Sequence, residues 1–218
     1  PLLDLMMARA EGNPFFAEQI LLFLRERQQL VQHDDVWDLT DGLKRAVAER
    51  DLPAVEAALP NDVRGVLTAR LDRLPPAVKI VVQTAAVLGR EFDVSVLASM
   101  LQQDAALQDQ MAVATRAAIW AAMAEARYLF RHALLRDAAY EMQLRGQLRR
   151  LHHTAAAAIR QVYAGEPAPH YAELVYHYHQ SEDDDNEREY AHLAGHHAAT
   201  QYANQDALRY FGRALQLL

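Results

Sequence analysis

Cysteine is absent from this 218-residue chain. That excludes a disulfide framework and any thiolate metal site. Glycine and proline are scarce, with eight of each. With so few breakers and so much Ala and Leu, the composition leans strongly towards helix. The only lysines are Lys44 and Lys79, and neither follows a glycine. No Gly-x4-Gly-Lys-Ser/Thr loop is therefore present, and the chain cannot cradle a triphosphate by itself. Gly-x-Ser-x-Gly, His-Glu-x-x-His and the protein-kinase motif set are missing too. No apolar run reaches the roughly 18 residues of a membrane span, and no signal peptide opens the chain. The expectation is a soluble, cytoplasmic protein. Positive charge is short as well. Lys and Arg total 22 against 29 Asp and Glu, a net charge of −7. An acidic field argues against a nucleic-acid partner. The first residue is Pro1 rather than Met, which suggests a piece of a longer polypeptide.

What is present is helical periodicity with clear punctuation. In "EGNPFF", Gly12 supplies a helix stop, Asn13 an N-cap and Pro14 the first position of the next helix. That helix is expected to run to about Leu30, with Phe16, Ile20, Phe23 and Leu30 on one face. "LVQHDDVWDLT" then reads as a short hairpin turning at His33-Asp34-Asp35. Gly42, Pro53 and Pro60 break the next stretch into short helices or ordered loop. Asn61 caps an amphipathic helix carrying Val66, Leu67 and Leu71. After Pro75-Pro76 comes "AVKIVVQTAAVLG", apolar almost all round and ended by Gly89. Asp93 caps a helix whose inward stripe is read as Val94, Leu97, Ala98 and Leu101, with Phe92 and Leu97 as a hydrophobic staple. A third helix is expected over roughly 106–126, followed by the strand-like "RYLFRH". Three helices and then a strand is the order of a winged helix with almost no wing.

Two further helices, split near Gly146, and another with Tyr171, Leu174, Val175 and Tyr178 inward follow. Ser181 to Glu189 reads as a solvated turn. Helices over about 187–202 and 204–218 close the chain. In the last, Ala207, Phe211, Ala214 and Leu215 fit the second helix of a tetratricopeptide hairpin. Such an array needs more repeats for stability, so it is expected to continue beyond Leu218.

Ten histidines raise a metal hypothesis. His192 and His196 stand one helical turn apart, and His177 lies on the preceding helix. Without a carboxylate at a diagnostic spacing, these and His152-His153 read as polar positions on packed helices. The cluster Arg145, Arg149 and Arg150 reads as a solvated or interdomain face. The third helix of the winged unit carries one base, Arg116, against Asp109 and Glu125, which is poor equipment for reading DNA.

Several blocks, in order, resemble large bacterial STAND-type signal-transduction ATPases. They are "RAEGNPFFAEQIL", "W-x-LT", "LPNDVRGVLTARLDRLPPAVKIVVQTAAVLGREFDVSVLA", "FRHALLRDAAYE" and "YANQDALRYFGRALQLL". Proteins of that family are predicted AAA-type ATPases linked to nucleotidyl cyclase domains or to helix-turn-helix transcription regulators. The resemblance implies a mainly α chain with one or two very short hairpins or strands. Residues 1–74 would be the helical lid of the ATPase module, 75–146 a winged-helix-like domain, and 147–218 a helical linker and the start of tetratricopeptide-like repeats. It implies a P-loop core upstream that binds ATP or ADP, and further repeats downstream in the same polypeptide. A protein or small-molecule inducer would act on the array, with no membrane partner. The fragment alone would have no enzyme activity and no metal. In such proteins the Gly-x-Pro turn touches the nucleotide from the lid side, here Gly12, Asn13 and Pro14. A histidine at the end of the winged helix senses the diphosphate, here His132. The stretch between Leu101 and "FRH" lacks the usual glycine turn and long wing, which weighs against DNA contact. The alternative is a winged-helix DNA-binding transcription regulator, and a further one a histidine-dependent metallohydrolase.

Overall fold

The computed structural model describes residues 14–33, 36–49, 63–102, 106–124 and 126–218. Gly12, Asn13, Asp34, Asp35, Asn61 and Glu125 lie outside the described residues, as does the whole of 50–62 with Pro53 and Pro60. The side chains of Phe15 and Phe16 lie outside them too. The described chain is mainly helical with a few short strands in two small sheets, and it divides into two compact units, 1–73 and 74–218.

The first unit begins with α1, Pro14–Glu26. It stops short of Leu30 because Gln28 turns left-handed at φ 56°. Leu30 instead opens β1, Leu30–His33, which pairs antiparallel with β2, Val36–Leu39. The alternation around Val31 and Trp37 thus forms the expected hairpin. Helix α2, Asp41–Ala48, packs Leu43 against Ile20, Leu24 and Leu39. Helix α3, Val63–Asp72, packs on α1 and buries Val66, Leu67 and Leu71. The guanidinium groups of Arg27 and Arg73 lie over the Phe23 ring. There they cover apolar surface while their charge stays near water.

The second unit opens with α4, Pro76–Leu88. Its second half is almost wholly buried, while Ala77 and Ile80 near its start are exposed, and Gly89 ends it at φ 119°, a conformation that suits glycine. Next comes β3, Glu91–Asp93, then α5, Val94–Leu101. Asp93 caps α5 by accepting from the Ser95 N–H at 2.7 Å. The inward stripe of α5 is Val96, Leu97 and Met100, rotated from the expected Val94, Leu97, Ala98 and Leu101. The partner that sets this rotation is a long helix, α8, arriving from later in the chain.

Helix α6 covers only Leu107–Arg116. The expected helix over 106–126 is overturned, because Trp120–Ala124 forms β4 and pairs with β5, Arg127–Phe130. Strand order is β3-β5-β4. Burial explains the switch. Trp120, Phe92 and Phe130 are sealed and pack ring to ring at 5.3–5.7 Å. A strand brings these rings together, whereas a continued helix would turn Trp120 away from β5. Helix, strand, two helices and two strands is the full order of a winged helix. The wing is short but it is a paired hairpin.

From β5 the chain runs into α7, Ala133–Glu141, and then α8, Arg145–Val162. A short 3-10 turn at Ala168–His170 leads to α9, Tyr171–Ser181. Helices α10, Asp184–Thr200, and α11, Asn204–Gln216, close the described chain. Each of α8 to α11 packs on the next. The acidic run expected as a turn is mostly helix. Asp183 caps α10 through the Asn186 N–H, and the acidic first turn suits the positive helix end. Alanines keep α8 and α10 close to their neighbours, with Ala155, Ala156, Ala191 and Ala194 buried. One core joins Val87 of α4 and Val96 and Met100 of α5 to Ile159, Leu174, Tyr178 and Tyr190 of the stacked helices.

Candidate functional site

Pro14 is the exposed first residue of α1 in the first unit. His132 belongs to the second unit. It follows β5 directly, holds an extended backbone at φ −134° and ψ 137°, and stands as the N-cap residue of α7. Its side chain is half-buried. Both described candidates therefore sit at helix starts, where backbone N–H groups and the positive dipole end favour anions.

Helix α7 carries more than His132. Residues 132, 136 and 140 recur every four positions, so they share one face. Arg136 donates through Nε to the Ala86 carbonyl at 2.7 Å, which ties α7 to the last turn of α4. Its guanidinium also pairs with Asp137 and lies 4.8 Å from the centre of the Tyr140 ring. Gln143 adds a second tie by donating to the Gln83 carbonyl at 3.0 Å.

Tyr140 then begins a polar line into the stacked helices. Its hydroxyl meets His152 Nε2 at 2.9 Å, and His152 Nδ1 meets His177 Nδ1 at 2.9 Å. Both rings are sealed, at 0% and 1% exposure. Two proton arrangements satisfy every bond. Tyr140 donates to His152, which donates to His177; or His177 donates to His152, which donates to Tyr140. Burial, and then the Arg136 charge, push the His152 pKa down to about 4. Burial, and then His152, push His177 down to about 3. Both are neutral at physiological pH. Burial, followed by Tyr176, also raises the Tyr140 hydroxyl.

A second buried polar group lies between α9, α10 and α11. Glu187 is 1% exposed and accepts two bonds from Arg213, one of them 3.0 Å, plus one from His179 at 3.2 Å. Burial pulls its pKa upward, but the Arg213 and His179 bonds outweigh that and leave it lowered. This is a bidentate, charge-assisted clamp across helices 26 residues apart in sequence.

The metal alternative does not assemble as the sequence suggested. His177 is committed to His152, while His192 and His196 are exposed and face each other at 3.2 Å. Among the described residues, no group of three or more His, Asp or Glu is placed to hold a metal ion. Arg145 and Arg149 both pair with Glu182, so that basic cluster fastens α8 to the α9–α10 turn.

On α6 the exposed residues are Gln108, Asp109, Ala112, Thr115 and Arg116, with one charge of each sign. A cleft of about 1040 Å³ runs between α5, α6 and α8. Ser99 donates to Gln161 at 3.2 Å and Tyr163 donates to Asp93 at 3.1 Å, so α8 is fastened across α5.

Sequence spacing marks His132, Arg136 and Tyr140 as one face. The joining of Tyr140 to His152 and His177, and of Glu187 to Arg213, depends on packing between helices and has no local signal. No family model, curated protein or solved structure matches this chain.

Proposed function

We propose that the chain is the regulatory and interaction segment of a STAND-type signal-transduction ATPase. It would couple the nucleotide state of an upstream P-loop core to a helical-repeat sensor, and through it to a cyclase or transcription output in the cytoplasm. The observation that carries this reading is the position of His132. A short wing strand feeds it directly, and it opens the helix that is fastened to α4 and α8 and, through His152, linked to α9. A group bound there would pull on the element joining winged helix to array. Pro14, with Gly12 and Asn13 before it, would meet the nucleotide from the lid side. ADP, bound mainly by the core, would hold the resting state. A ligand shifts such a switch only by its differential affinity for the two states.

The test uses the full-length protein. His132→Ala should lose a hydrogen bond to a charged phosphate, about 1.5–3 kcal/mol or roughly tenfold to hundredfold in ADP affinity. The ADP-induced rise in melting temperature should shrink and basal output should increase. Pro14→Ala should act in the same direction but more weakly, because it removes apolar contact and turn rigidity without a charge partner. An ADP-induced rise that His132→Ala leaves unchanged would remove the sensor role.

The complete winged-helix order favours a second reading, DNA binding. It ranks lower because α6 offers a single base and α8 crosses α5. Tight, sequence-selective retention of duplex DNA at physiological salt would reverse that ranking.

A further inference from the structure

His192 and His196 stand four residues apart on α10, so both rings leave the same face of the helix. Their Nε2 atoms converge to 3.2 Å. Both rings are exposed and both meet the edge of Phe211 on α11, at 6.0 Å and 5.2 Å between centroids. Phe211 comes that close because Gly195 lies between the two histidines and has no side chain to hold it off. The imidazoles are thus braced rather than free to swing. Glu189, one turn earlier, lines the same surface groove as His192.

We propose that His192 and His196 form a two-histidine clamp for a late first-row divalent metal ion, with water completing the coordination shell. A metal at roughly 2.0–2.1 Å from each imidazole nitrogen needs its two donors about 3 Å apart. The observed separation of 3.2 Å matches this. Two imidazole nitrogens take Cu2+ most tightly, ahead of Ni2+ and Zn2+, by the general affinity order of first-row ions, and do not suit Mg2+, which prefers oxygen donors. A bound ion would join two successive turns of α10 beside Phe211 and so stiffen the α10–α11 hairpin. The imidazoles must be unprotonated to bind, so acid competes with the metal.

The test is a titration of the chain, free of any histidine tag, with Cu2+, Zn2+ and Mg2+. Calorimetry should give one Cu2+ per chain, weaker Zn2+ binding and no Mg2+ binding. Spin-echo spectroscopy of the Cu2+ complex should report two imidazole nitrogens. His192→Gln and His196→Gln, each at an exposed position, should weaken Cu2+ binding at least about tenfold. Saturating Cu2+ should raise the melting temperature of the wild-type chain and not of the double variant. Equal Cu2+ affinity in wild type and double variant would overturn the clamp. So would a spectrum showing a single imidazole nitrogen.

Discussion

The pair His152–His177 and the pair His192–His196 bring imidazole nitrogens to nearly the same separation, 2.9 Å and 3.2 Å. Their surroundings differ completely. The first is sealed between α7, α8 and α9, and its outer nitrogen is used by Tyr140. The second is exposed on α10 beside Phe211. Burial removes the option of charge, so the inner pair is a neutral hydrogen-bonded joint. Exposure keeps ligands and protons within reach, so the outer pair can bind an ion. The same residue type at the same contact distance is a fastening in one place and a receptor in the other.

The sharpest way to break the comparison is to remove one ring from each pair. His177→Ala leaves a cavity and strands the His152 nitrogen without its partner. The expected cost is about 2–4 kcal/mol. His192→Ala removes an exposed ring and should change stability by about 0.5 kcal/mol or less. Replacing both buried partners, in His152→Phe with His177→Leu, should cost less than the sum of the single losses, because no polar atom is then orphaned. Urea midpoints of these proteins, together with the single variants His152→Phe and His177→Leu, decide this. Equal costs for His177→Ala and His192→Ala would show that the inner pair is not a joint.

Acid sharpens the comparison next. The folded values of about 4 and about 3 lie below the ordinary histidine value of 6.5. As pH falls below 6.5, the unfolded chain takes up protons first. The stability held by the neutral pair is therefore fully present above 6.5 and is lost as pH falls towards 4 and then 3. The His152 shift alone sets an upper bound of roughly 3 kcal/mol. Glu187, also lowered when folded, loses its contribution only below the ordinary glutamate value of 4.5. The interval from pH 6.5 to 5 thus isolates the histidines. The stability difference between wild type and the His152→Phe/His177→Leu variant should shrink across it. A flat difference would mean that the pair is charged or open to water.

Much of this architecture is legible in local sequence. Pro76 and Gly89 bracket α4, Asp93 announces α5, and the alternation around Val31 and Trp37 announces the hairpin. The misreadings occur where tertiary contact overrides local preference. "WAAMA" has the composition of a helix, yet Trp120 belongs among Phe92 and Phe130, so the segment becomes a strand. "SEDDDNERE" looks solvated, yet its Glu187 is the most buried carboxylate among the described residues because Arg213 waits on α11. The two histidine pairs divide in the same way. The spacing of His192 and His196 is visible on one helix. His152 and His177 are 25 residues apart, and only the packing of α8 on α9 joins them.

A smaller effect than the loss of an inner ring concerns Gly195, which sets the environment of the outer pair. A Cβ added there would meet Phe211 ring carbons at 2.7, 2.7 and 3.0 Å, too close to be tolerated. Phe211 is half-buried, so its ring can swing outward rather than force the backbone apart. Alanine gains about 1 kcal/mol over glycine in a helix interior, whereas overpacking costs about 1–3 kcal/mol. Gly195→Ala should therefore destabilise the chain by about 1 kcal/mol. The displaced ring would no longer brace His192 and His196, so Cu2+ affinity should fall as well. The inner pair does not touch Phe211, so its acid window should stay where it is. Urea midpoints at pH 7 and pH 5, with a Cu2+ titration of the same variant, separate these effects. If Gly195→Ala stabilises the chain and leaves Cu2+ binding intact, the Phe211 ring holds neither the hairpin nor the two imidazoles.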